Sequence, residues 1–335
     1  MVPARAVLAV RQAVRAVFDR CEPGQRVLVA CSGGSDSLAL ALAVAAEAPR
    51  AALQAEAITV DHGILEGSTE RADLLVEQLR PYLPAVAVSV EVTDLDGPEG
   101  SARTARYEAI ASRARELGGP ALVLLGHTRD DQAETVLLGL GRGSGPRSIA
   151  GMKPQGFLPG TDDVPFARPL LRLERRILRD ACAEWGEPWW DDPSNSVDGP
   201  WRTSTGDPLR RSAIRHRAIP ALSEALGQDV REPLARTAEL LQSDLDFIDE
   251  VAEATYKDVV DGVDLSVELL KTHNVAIRTR VVRLWLIRHG ARSGELTGWH
   301  VMRVEELLHG ETGKGIDVPG LRAVRTRHSI ERAVE

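Results

Sequence analysis

Six residues, Ser32-Gly33-Gly34-Ser35-Asp36-Ser37, are the part of this sequence best suited to bind an anion. They follow the apolar run Val27–Cys31, which predicts a buried strand, and they precede the helical pattern of Leu38–Glu47. A helix N-terminus presents unpaired backbone N–H groups and a partial positive charge, which attract phosphate oxygens. The glycines let the backbone approach a ligand closely, and the serine hydroxyls add donors. The predicted phosphate-binding residues are therefore Ser32, Gly33, Gly34, Ser35, Asp36 and Ser37.

Asp36 is the member of this loop that does not suit a phosphate, because its carboxylate would repel the ligand. The carboxylate is useful if a cation such as Mg²⁺ lies between it and the phosphates, and Asp36 is therefore a predicted metal ligand. The loop is not the usual P-loop, since no lysine follows its glycines. The alternative is an ordinary strand–turn–helix whose serines only cap the helix.

A second group of polar residues, from His127 to Glu134, follows the predicted strand Ala121–Leu125. Asp130, Asp131 and Glu134 are three and four residues apart, so their carboxylates lie near one face of a helix. Acids at a helix N-terminus stabilise it by about 0.3 to 1 kcal/mol, which accounts for one or two of them. That effect does not account for three acids and a histidine at one strand exit, and we therefore predict a functional site.

Two weaker candidates are placed to face the same crevice. His62 ends the second predicted strand within Asp61-His62-Gly63, and Arg103 and Arg106 are three residues apart on a predicted helix. The arginines could present one cationic face to phosphates. A structural histidine and a solvated helix face are the alternative interpretations, and both stay open.

Short apolar strands alternate with helices over the first half of the chain, which is typical of a parallel sheet covered on both faces. The predicted strands are Arg26–Cys31, Glu56–Val60, Ala85–Val92 and Ala121–Leu125, and the predicted helices are Leu38–Glu47, Ser68–Leu79, Ser101–Leu117 and Asp130–Leu140. In such sheets ligands bind at the carboxyl ends of the strands. The polar groups described above are therefore expected to meet at one edge.

The second half is predicted to contain one more strand, further helices and a small mixed domain. The strand is Phe166–Leu171, and the helices are Leu173–Trp185, Leu209–Leu226, Val230–Lys257, Ala276–His289 and Thr297–His309, followed by a strand-like end, Gly315–His328.

Composition indicates two domains with an ordinary hydrophobic core, since 43% of the 335 residues are hydrophobic. The cysteines Cys21, Cys31 and Cys182 are far apart and include no Cys-x-x-Cys pair, which predicts a reduced, cytoplasmic protein without thiol or iron–sulfur chemistry. No stretch resembles a signal peptide or a membrane span, so no membrane partner is expected. The net charge of −8 argues mildly against nucleic acid, although residues 168–222 and 271–335 are mildly basic.

The ordered set of motifs resembles the tRNA(Ile)-lysidine synthases of the N-type ATP pyrophosphatase (PP-loop) superfamily, in their shorter, actinobacterial form. The motifs fall in the family's order between residues 25 and 222. They are Ser32–Ser37, Val60–Gly63, Ala102–Tyr107, Gly126–Thr135, Arg142–Gly145, Ala150–Met152, Arg168–Leu170, Asp192–Asn195, Ile214-Arg215 and Ile219–Leu222.

The resemblance implies an α/β fold: a doubly wound parallel sheet of the adenine nucleotide alpha hydrolase-like kind, a helical linker and a small α+β C-terminal domain. The implied domains are a catalytic domain at 1–208, the linker at 209–257 and a tRNA-contacting domain at 258–335. The implied reaction adenylates the C2 carbonyl oxygen of the wobble cytidine in the CAU anticodon of tRNA(Ile). The ε-amine of free L-lysine then attacks C2 and AMP leaves, which changes the charging identity of the tRNA from Met to Ile.

The resemblance also implies a role for each candidate residue. ATP is bound by Ser32–Ser37, His62 and Arg106, Mg²⁺ by Asp36 and Asp131, and catalysis involves Asp36, His127, Asp130, Asp131 and Glu134. His127 is placed at the α-phosphate, and the acids of 130–134 either bind Mg²⁺ or hold the lysine ammonium and take its proton. The implied tRNA contacts are Arg202, Arg210, Arg211, Arg215 and Arg217. Some members of the family form dimers, so the resemblance extends to a homodimer.

The sequence departs from the family pattern after Trp201-Arg202, where Thr203–Leu209 looks like an insertion. Ser212 and Ala213 stand where the family has Asn and Arg, so the choice of tRNA-contacting residues in this region stays open. Two other functions are weighed. A PP-loop enzyme of tRNA 2-thiolation is disfavoured by the missing cysteine pairs, and a non-catalytic tRNA-binding relative is disfavoured by the intact motifs.

Overall fold

The computed structural model describes residues 5–63, 67–90, 98–119, 121–143, 145–193, 196, 199, 209–292 and 294–333. Its packing divides the chain into two compact units, one of residues 1–138 and 151–236 and the other of residues 139–150 and 237–335. The domain boundaries predicted at residues 208 and 257 stay a prediction.

A six-stranded sheet forms the centre of the first unit. Its strands are β1 (Arg26–Ala30), β2 (Gln54–Asp61), β3 (Ala85–Ser89), β4 (Leu122–Leu125), β5 (Gln155–Phe157) and β6 (Pro165–Ala167). The order is β3-β2-β1-β4-β6-β5, and every pairing is parallel except that of β5 with β6. The strand order reverses between β1 and β4, and a doubly wound sheet binds its ligands at such a point.

Between residues 5 and 259, the described part of the chain contains ten helices. They are α1 (Arg5–Phe18), α2 (Ser35–Glu47), α3 (Ser68–Leu79), α4 (Pro98–Glu116), α5 (Arg129–Arg142), α6 (Pro146–Ile149), α7 (Arg175–Trp185), α8 (Arg210–Ala213), α9 (Ile219–Leu226) and α10 (Arg231–Val259). A 3-10 turn, Ala48–Ala51, follows α2, and a π-helical turn, Ile214–Ala218, joins α8 to α9.

The core explains why the polar residues of α2 gather at its ends. The residues from Leu38 to Val44 are all buried, because α2 packs against β1, α1 and α7. Glu47 is the polar exception at the C-terminal end, where Arg11 and Arg15 pair with its carboxylate. The polar first turn of α2 therefore lies beyond the carboxyl end of β1.

The second unit contains a five-stranded antiparallel sheet. Its strands are β7 (Val260–Asp261), β8 (Asp264–Ser266), β9 (Gly315–Val318), β10 (Leu321–Arg325) and β11 (Ser329–Arg332), in the order β7-β8-β11-β10-β9. Its other helices are α11 (Val267–Lys271), α12 (Val275–Arg288) and α13 (Gly298–Glu305), with a 3-10 turn at Glu306–His309. The buried Trp285 anchors the core and donates its indole N–H to the Val263 carbonyl at 2.8 Å.

The predicted doubly wound sheet, followed along the chain by a small α+β domain, is confirmed. The predicted strand Phe166–Leu171 is shorter than expected, since β6 ends at Ala167, and the predicted strand-like end contains three separate strands. Among the described residues, each helix is either too short or too polar to cross a lipid bilayer.

Candidate active site

The predicted phosphate loop connects β1 to α2 as a tight turn. Gly33 has a φ of +82°, a left-handed conformation that glycine adopts without strain. The Ser37 hydroxyl accepts the N–H of Ser32 at 3.0 Å and donates to the Gly34 carbonyl at 3.1 Å, which holds the turn from within. Because α2 begins at Ser35, its first backbone N–H groups are those that a bound anion would meet.

Two neighbouring segments brace this loop. A Cβ added to Gly126 would lie 3.0 Å from the Cα of Ser37, so a glycine is needed where the exit of β4 approaches the start of α2. The backbone N–H of Trp190 donates to the Gly33 carbonyl at 2.9 Å. Composition around Trp190 indicates only turns, and its contact with the loop is a finding of the structure.

Three carboxylates, those of Asp36, Asp131 and Glu134, lie beside the loop and are called the acidic pocket below. The Arg175 guanidinium lies among them, with Nε 2.8 Å from Asp36, Nη2 2.7 Å from Asp131 and Nη1 3.7 Å from Glu134. Arg215 makes two hydrogen bonds to Glu134, at 2.6 and 3.1 Å. The Glu134 side chain is only 1% exposed, and these two arginines offset the cost of burying it.

Asp130 lies apart from the acidic pocket. Its carboxylate accepts the backbone N–H of Arg175 at 2.9 Å and lies 3.3 Å from Nε of Arg231. It caps α7 from a different helix, since the Glu174 side chain at the N-cap position makes no capping bond. These contacts are those of a residue that positions Arg175, and the catalytic role predicted for Asp130 stays a prediction.

The pKa values of the two aspartates in the acidic pocket are shifted in opposite directions. Burial raises the pKa of Asp36, and the Asp131 charge adds to the rise while Arg175 opposes it. Burial also acts to raise the pKa of Asp131, but Arg175 and two hydrogen bonds from Thr128, both 2.8 Å, bring that pKa well below its usual range. Asp131 is therefore a firmly ionised carboxylate, and Asp36 takes up a proton more readily.

A cluster of basic side chains combines residues from the exits of β2, β4 and β6 with residues from helices α4 and α8. Its members, called the basic cluster below, are His62, Arg106, His127, Arg168 and Arg211. Arg168 donates from Nε to Nδ1 of His127 at 3.0 Å, so the neutral ring carries its proton on Nε2. Nδ1 of His62 is shielded from solvent and has no hydrogen-bond partner among the described residues. Converging positive charge and an unused polar atom suit a polyphosphate ligand.

His127 is expected to make the folded protein less stable as the pH falls. Burial lowers its pKa from 6.5 to about 3, and the neighbouring arginines act in the same direction. Between these two values the unfolded chain binds a proton that the folded chain does not, which costs up to about 1.4 kcal/mol of unfolding free energy per pH unit. Chemical denaturation across this window is expected to show a weaker pH dependence for His127→Asn than for the wild type.

A matched control for this measurement is His309→Asn, because His309 is exposed and far in sequence from the site. It is expected to retain the wild-type pH dependence. Equal pH dependence in His127→Asn and the wild type would show that the ring is not held neutral by the fold.

The five predicted tRNA-binding arginines do not share one location. Arg215 points into the acidic pocket, and Arg211 belongs to the basic cluster. Arg210 and Arg217 are exposed on the helical segment that contains α8 and the π-helical turn. Arg202 lies outside the described residues. Of the four described members, Arg210 and Arg217 are therefore the two that face solvent.

Arg168 and Arg175 make central contacts but are not among the residues predicted from the sequence. Both follow β6, which pairs parallel with β4, so its carboxyl end opens on the same edge as the phosphate loop. A signal for them exists in the sequence. The apolar run at Phe166–Leu171 predicts a strand, and Arg168 within it and Arg175 shortly after it lie near a strand exit, as the other candidates do.

The acidic pocket fits a magnesium ion that arrives with a nucleotide. Among the described residues, no three His, Cys, Asp or Glu side chains are arranged around one metal position. Asp36 and Asp131, however, both contact the single Arg175 guanidinium and present hard oxygen donors. Mg²⁺ commonly uses one or two protein carboxylates, and phosphate oxygens and waters complete its shell. The donor set therefore fits Mg²⁺ bound together with a phosphate ligand.

Comparison with known proteins matches both units. A family model for the PP-loop domain matches residues 7–222, and one for the TilS substrate binding domain matches residues 265–330. The chain is 45% identical to a tRNA(Ile)-lysidine synthase of Streptomyces coelicolor, over 88% of this chain and 81% of that protein. It is 43% identical to that of Thermobifida fusca, over 97% and 96% of the two chains.

Among solved structures, the chain resembles the U34-tRNA thiolase NcsA from Methanococcus maripaludis with its [4Fe-4S] cluster. The TM-score is 0.57 at 18% identity, over 71% of this chain and 80% of that one. At this identity the likeness concerns the fold of the PP-loop sheet alone.

Proposed function

The chain belongs to the tRNA(Ile)-lysidine synthase family and is an ATP-dependent ligase that forms lysidine on tRNA(Ile), and from this premise we propose how its residues divide the reaction. The observation that supports the proposal is the meeting of the phosphate loop, the basic cluster and the acidic pocket at the exits of β1 and β4. One edge of the sheet then offers sites for phosphates, for a cation and for an ammonium group.

The triphosphate of ATP binds the phosphate loop and the basic cluster. The N–H groups at the start of α2 and the Ser32 hydroxyl donate to the phosphates, and His62 and Arg106 lie within the cluster that surrounds them. His127 donates from Nε2 to the α-phosphate, because Arg168 holds its other nitrogen as an acceptor. A neutral donor stabilises developing charge without becoming an acid itself.

Asp36 and Asp131 are the proposed ligands of Mg²⁺, which when bound neutralises charge on the departing pyrophosphate. In the chain itself, Thr128 fixes the Asp131 carboxylate through two hydrogen bonds, and Ser35 donates to Asp36 at 3.0 Å. Both carboxylates are therefore oriented before a ligand arrives, which reduces the cost of binding it.

Asp131 and Glu134 are the proposed site for the ε-ammonium of free L-lysine. Only the neutral amine is a nucleophile, so one carboxylate must take a proton before C2 of the cytidine is attacked. Glu134 is buried and held by Arg215, and it lies on the same helix face as Asp131. The wobble cytidine has to leave the anticodon stack to reach this pocket.

The exposed Arg210 and Arg217 are the proposed contacts to tRNA phosphates in this segment. Replacing either by alanine is expected to weaken tRNA binding several-fold and to make the slope of log affinity against log salt shallower by about 0.7 to 0.9 for each arginine removed. Filter binding over a range of salt concentrations measures both effects. Arg176→Ala, on the exposed side of α7, is the control and is expected to bind tRNA as the wild type does. If Arg210→Ala and Arg217→Ala both keep the salt dependence of the wild type, the proposed contacts are excluded.

Incubation with ATP, labelled lysine and tRNA(Ile) bearing a CAU anticodon tests the overall function. Mass spectrometry of the anticodon loop is expected to find lysine on the wobble cytidine, with one pyrophosphate released for each lysine joined. A tRNA with uridine at that position is the control. Pyrophosphate release that requires a sulfur donor would instead support 2-thiolation, which the three separated cysteines disfavour. A tRNA-binding protein without activity would release none.

The cytoplasm is the proposed location, since tRNA, ATP and free lysine are all available there. A homodimer stays a prediction from the family, and sedimentation of the full chain at several concentrations tests it.

A further inference from the structure

We propose that the Arg175 guanidinium is a stand-in for a divalent cation, because both compete for the Asp36 and Asp131 carboxylates. The guanidinium bridges these two carboxylates and has to leave that position before a cation can bind there. The inference rests on the proposed assignment of these two carboxylates to Mg²⁺.

The first argument is the position of the guanidinium. Its Nε lies 2.8 Å from Asp36 Oδ2 and its Nη2 lies 2.7 Å from Asp131 Oδ1, so one planar group spans the gap between two helices. A cation bridging the same two oxygens would need the same space. Arginine and metal are therefore alternatives, and the side chain excludes a cation as long as it stays.

The second argument is charge. The three carboxylates of the acidic pocket and the two arginines that contact them, Arg175 and Arg215, carry one net negative charge. Exchange of the Arg175 guanidinium for a divalent cation makes the same group neutral. Without either one, the nearby carboxylates Asp36 and Asp131 repel each other in a largely buried pocket, which is unfavourable.

The third argument is that the side chain can leave without disturbing its helix. The Arg175 backbone is held by the Asp130 carboxylate, and the Arg129 N–H donates to the Leu173 carbonyl at 2.9 Å, which ties the start of α5 to the segment before α7. These anchors do not involve the guanidinium. The flexible stem of Arg175 can therefore move while the start of α7 stays in place.

Binding of Mn²⁺ to the full chain without nucleotide, followed by electron paramagnetic resonance, tests this inference. Arg175→Gln is expected to bind Mn²⁺ at least about tenfold more tightly than the wild type, because the pocket keeps its carboxylates and loses its cation. Arg175→Lys keeps a positive charge and is expected to resemble the wild type. Arg176→Gln, the adjacent exposed arginine, is the matched control, and the double variant Asp36→Asn/Arg175→Gln is expected to lose the gained site.

Equal Mn²⁺ affinity in Arg175→Gln and the wild type would overturn the inference, as would tight binding by Arg175→Lys. Circular dichroism checks that each variant is folded, and Arg175→Met repeats the measurement if the glutamine variant is not. The proposed metal role is tested separately by Mg²⁺-dependent ATP binding to Asp36→Asn. If that variant binds ATP as the wild type does, the magnesium assignment fails, whereas a loss there with unchanged Mn²⁺ binding in Arg175→Gln overturns only the stand-in role.

Discussion

Replacement of Asp36 by alanine is expected to abolish ATP-dependent lysine incorporation while tRNA binding stays nearly intact. Asp36 lies in the first turn of α2, within the proposed phosphate site, and its carboxylate is the part of that loop able to hold a cation against the phosphates. Loss of such charge stabilisation costs about 10³-fold in turnover or more. Pyrophosphate release and lysine incorporation are both expected to fall, because the adenylation step itself is lost.

A loss of catalysis in Asp36→Ala can be distinguished from a loss of the folded structure. Arg175 keeps Asp131 as a partner when Asp36 is removed, so the variant is expected to remain folded. Asp180→Ala, which removes an exposed acid from α7, is the matched control and is expected to retain activity. Retained turnover in Asp36→Ala would refute the metal role, and loss of tRNA binding would show that the residue acts through the fold instead.

The sequence correctly predicts that two groups of residues lie close together. These groups directly follow β1 and β4, the two strands between which the strand order reverses. Ser32–Ser37 and His127–Glu134 could be brought together from the sequence alone, because apolar strands and parallel topology fix where both strand exits lie. The apolar pattern predicts that α2 begins at Leu38, three residues later than it does. Ser35, Asp36 and Ser37 are polar but belong to the first helical turn, where such residues are favoured.

The sequence does not predict the contacts that Arg175 and Arg215 make in the acidic pocket. Arg175 reaches the acidic pocket because the three-residue strand β6 pairs with β4. A strand this short has too few residues for the sequence to predict which strand it pairs with. The resemblance implies that Arg215 contacts tRNA, and this stays a prediction. In the structure Arg215 pairs with Glu134, and it lies in a π-helical turn, whose extra residue shifts side chains from their ordinary helical positions.

These arginines also change the interpretation of the acids. From spacing alone, Asp130, Asp131 and Glu134 form one equivalent group on a helix face. In the structure Asp131 and Glu134 share Arg175 and Arg215, whereas Asp130 caps α7 and pairs with Arg231. Cationic partners on other elements thus divide one sequence motif into a pair that shares the acidic pocket and a residue that caps α7.

Replacement of Glu134 by glutamine is expected to separate the two half-reactions. Glutamine keeps the shape of the side chain but can neither hold an ammonium by charge nor accept its proton. Lysine incorporation is expected to fall by about 10²- to 10⁴-fold, the range lost with a general base, and the KM for lysine is expected to rise. Pyrophosphate release in a single turnover with tRNA and ATP is expected to persist, because the phosphate loop and Asp36 are unchanged.

The role of Glu134 is tested by comparing which half-reaction is lost in Asp36→Ala and in Glu134→Gln. Asp36→Ala loses both pyrophosphate release and lysine incorporation, whereas Glu134→Gln loses only the second, and Glu134→Asp, which keeps the charge, recovers part of it. Exposed Glu108→Gln on α4 is the matched control. Because Arg215 loses a buried partner in the glutamine variant, thermal unfolding is followed in parallel. If a folded Glu134→Gln variant releases no pyrophosphate, Glu134 acts before lysine is involved, and the ammonium site has to be assigned to Asp131 alone.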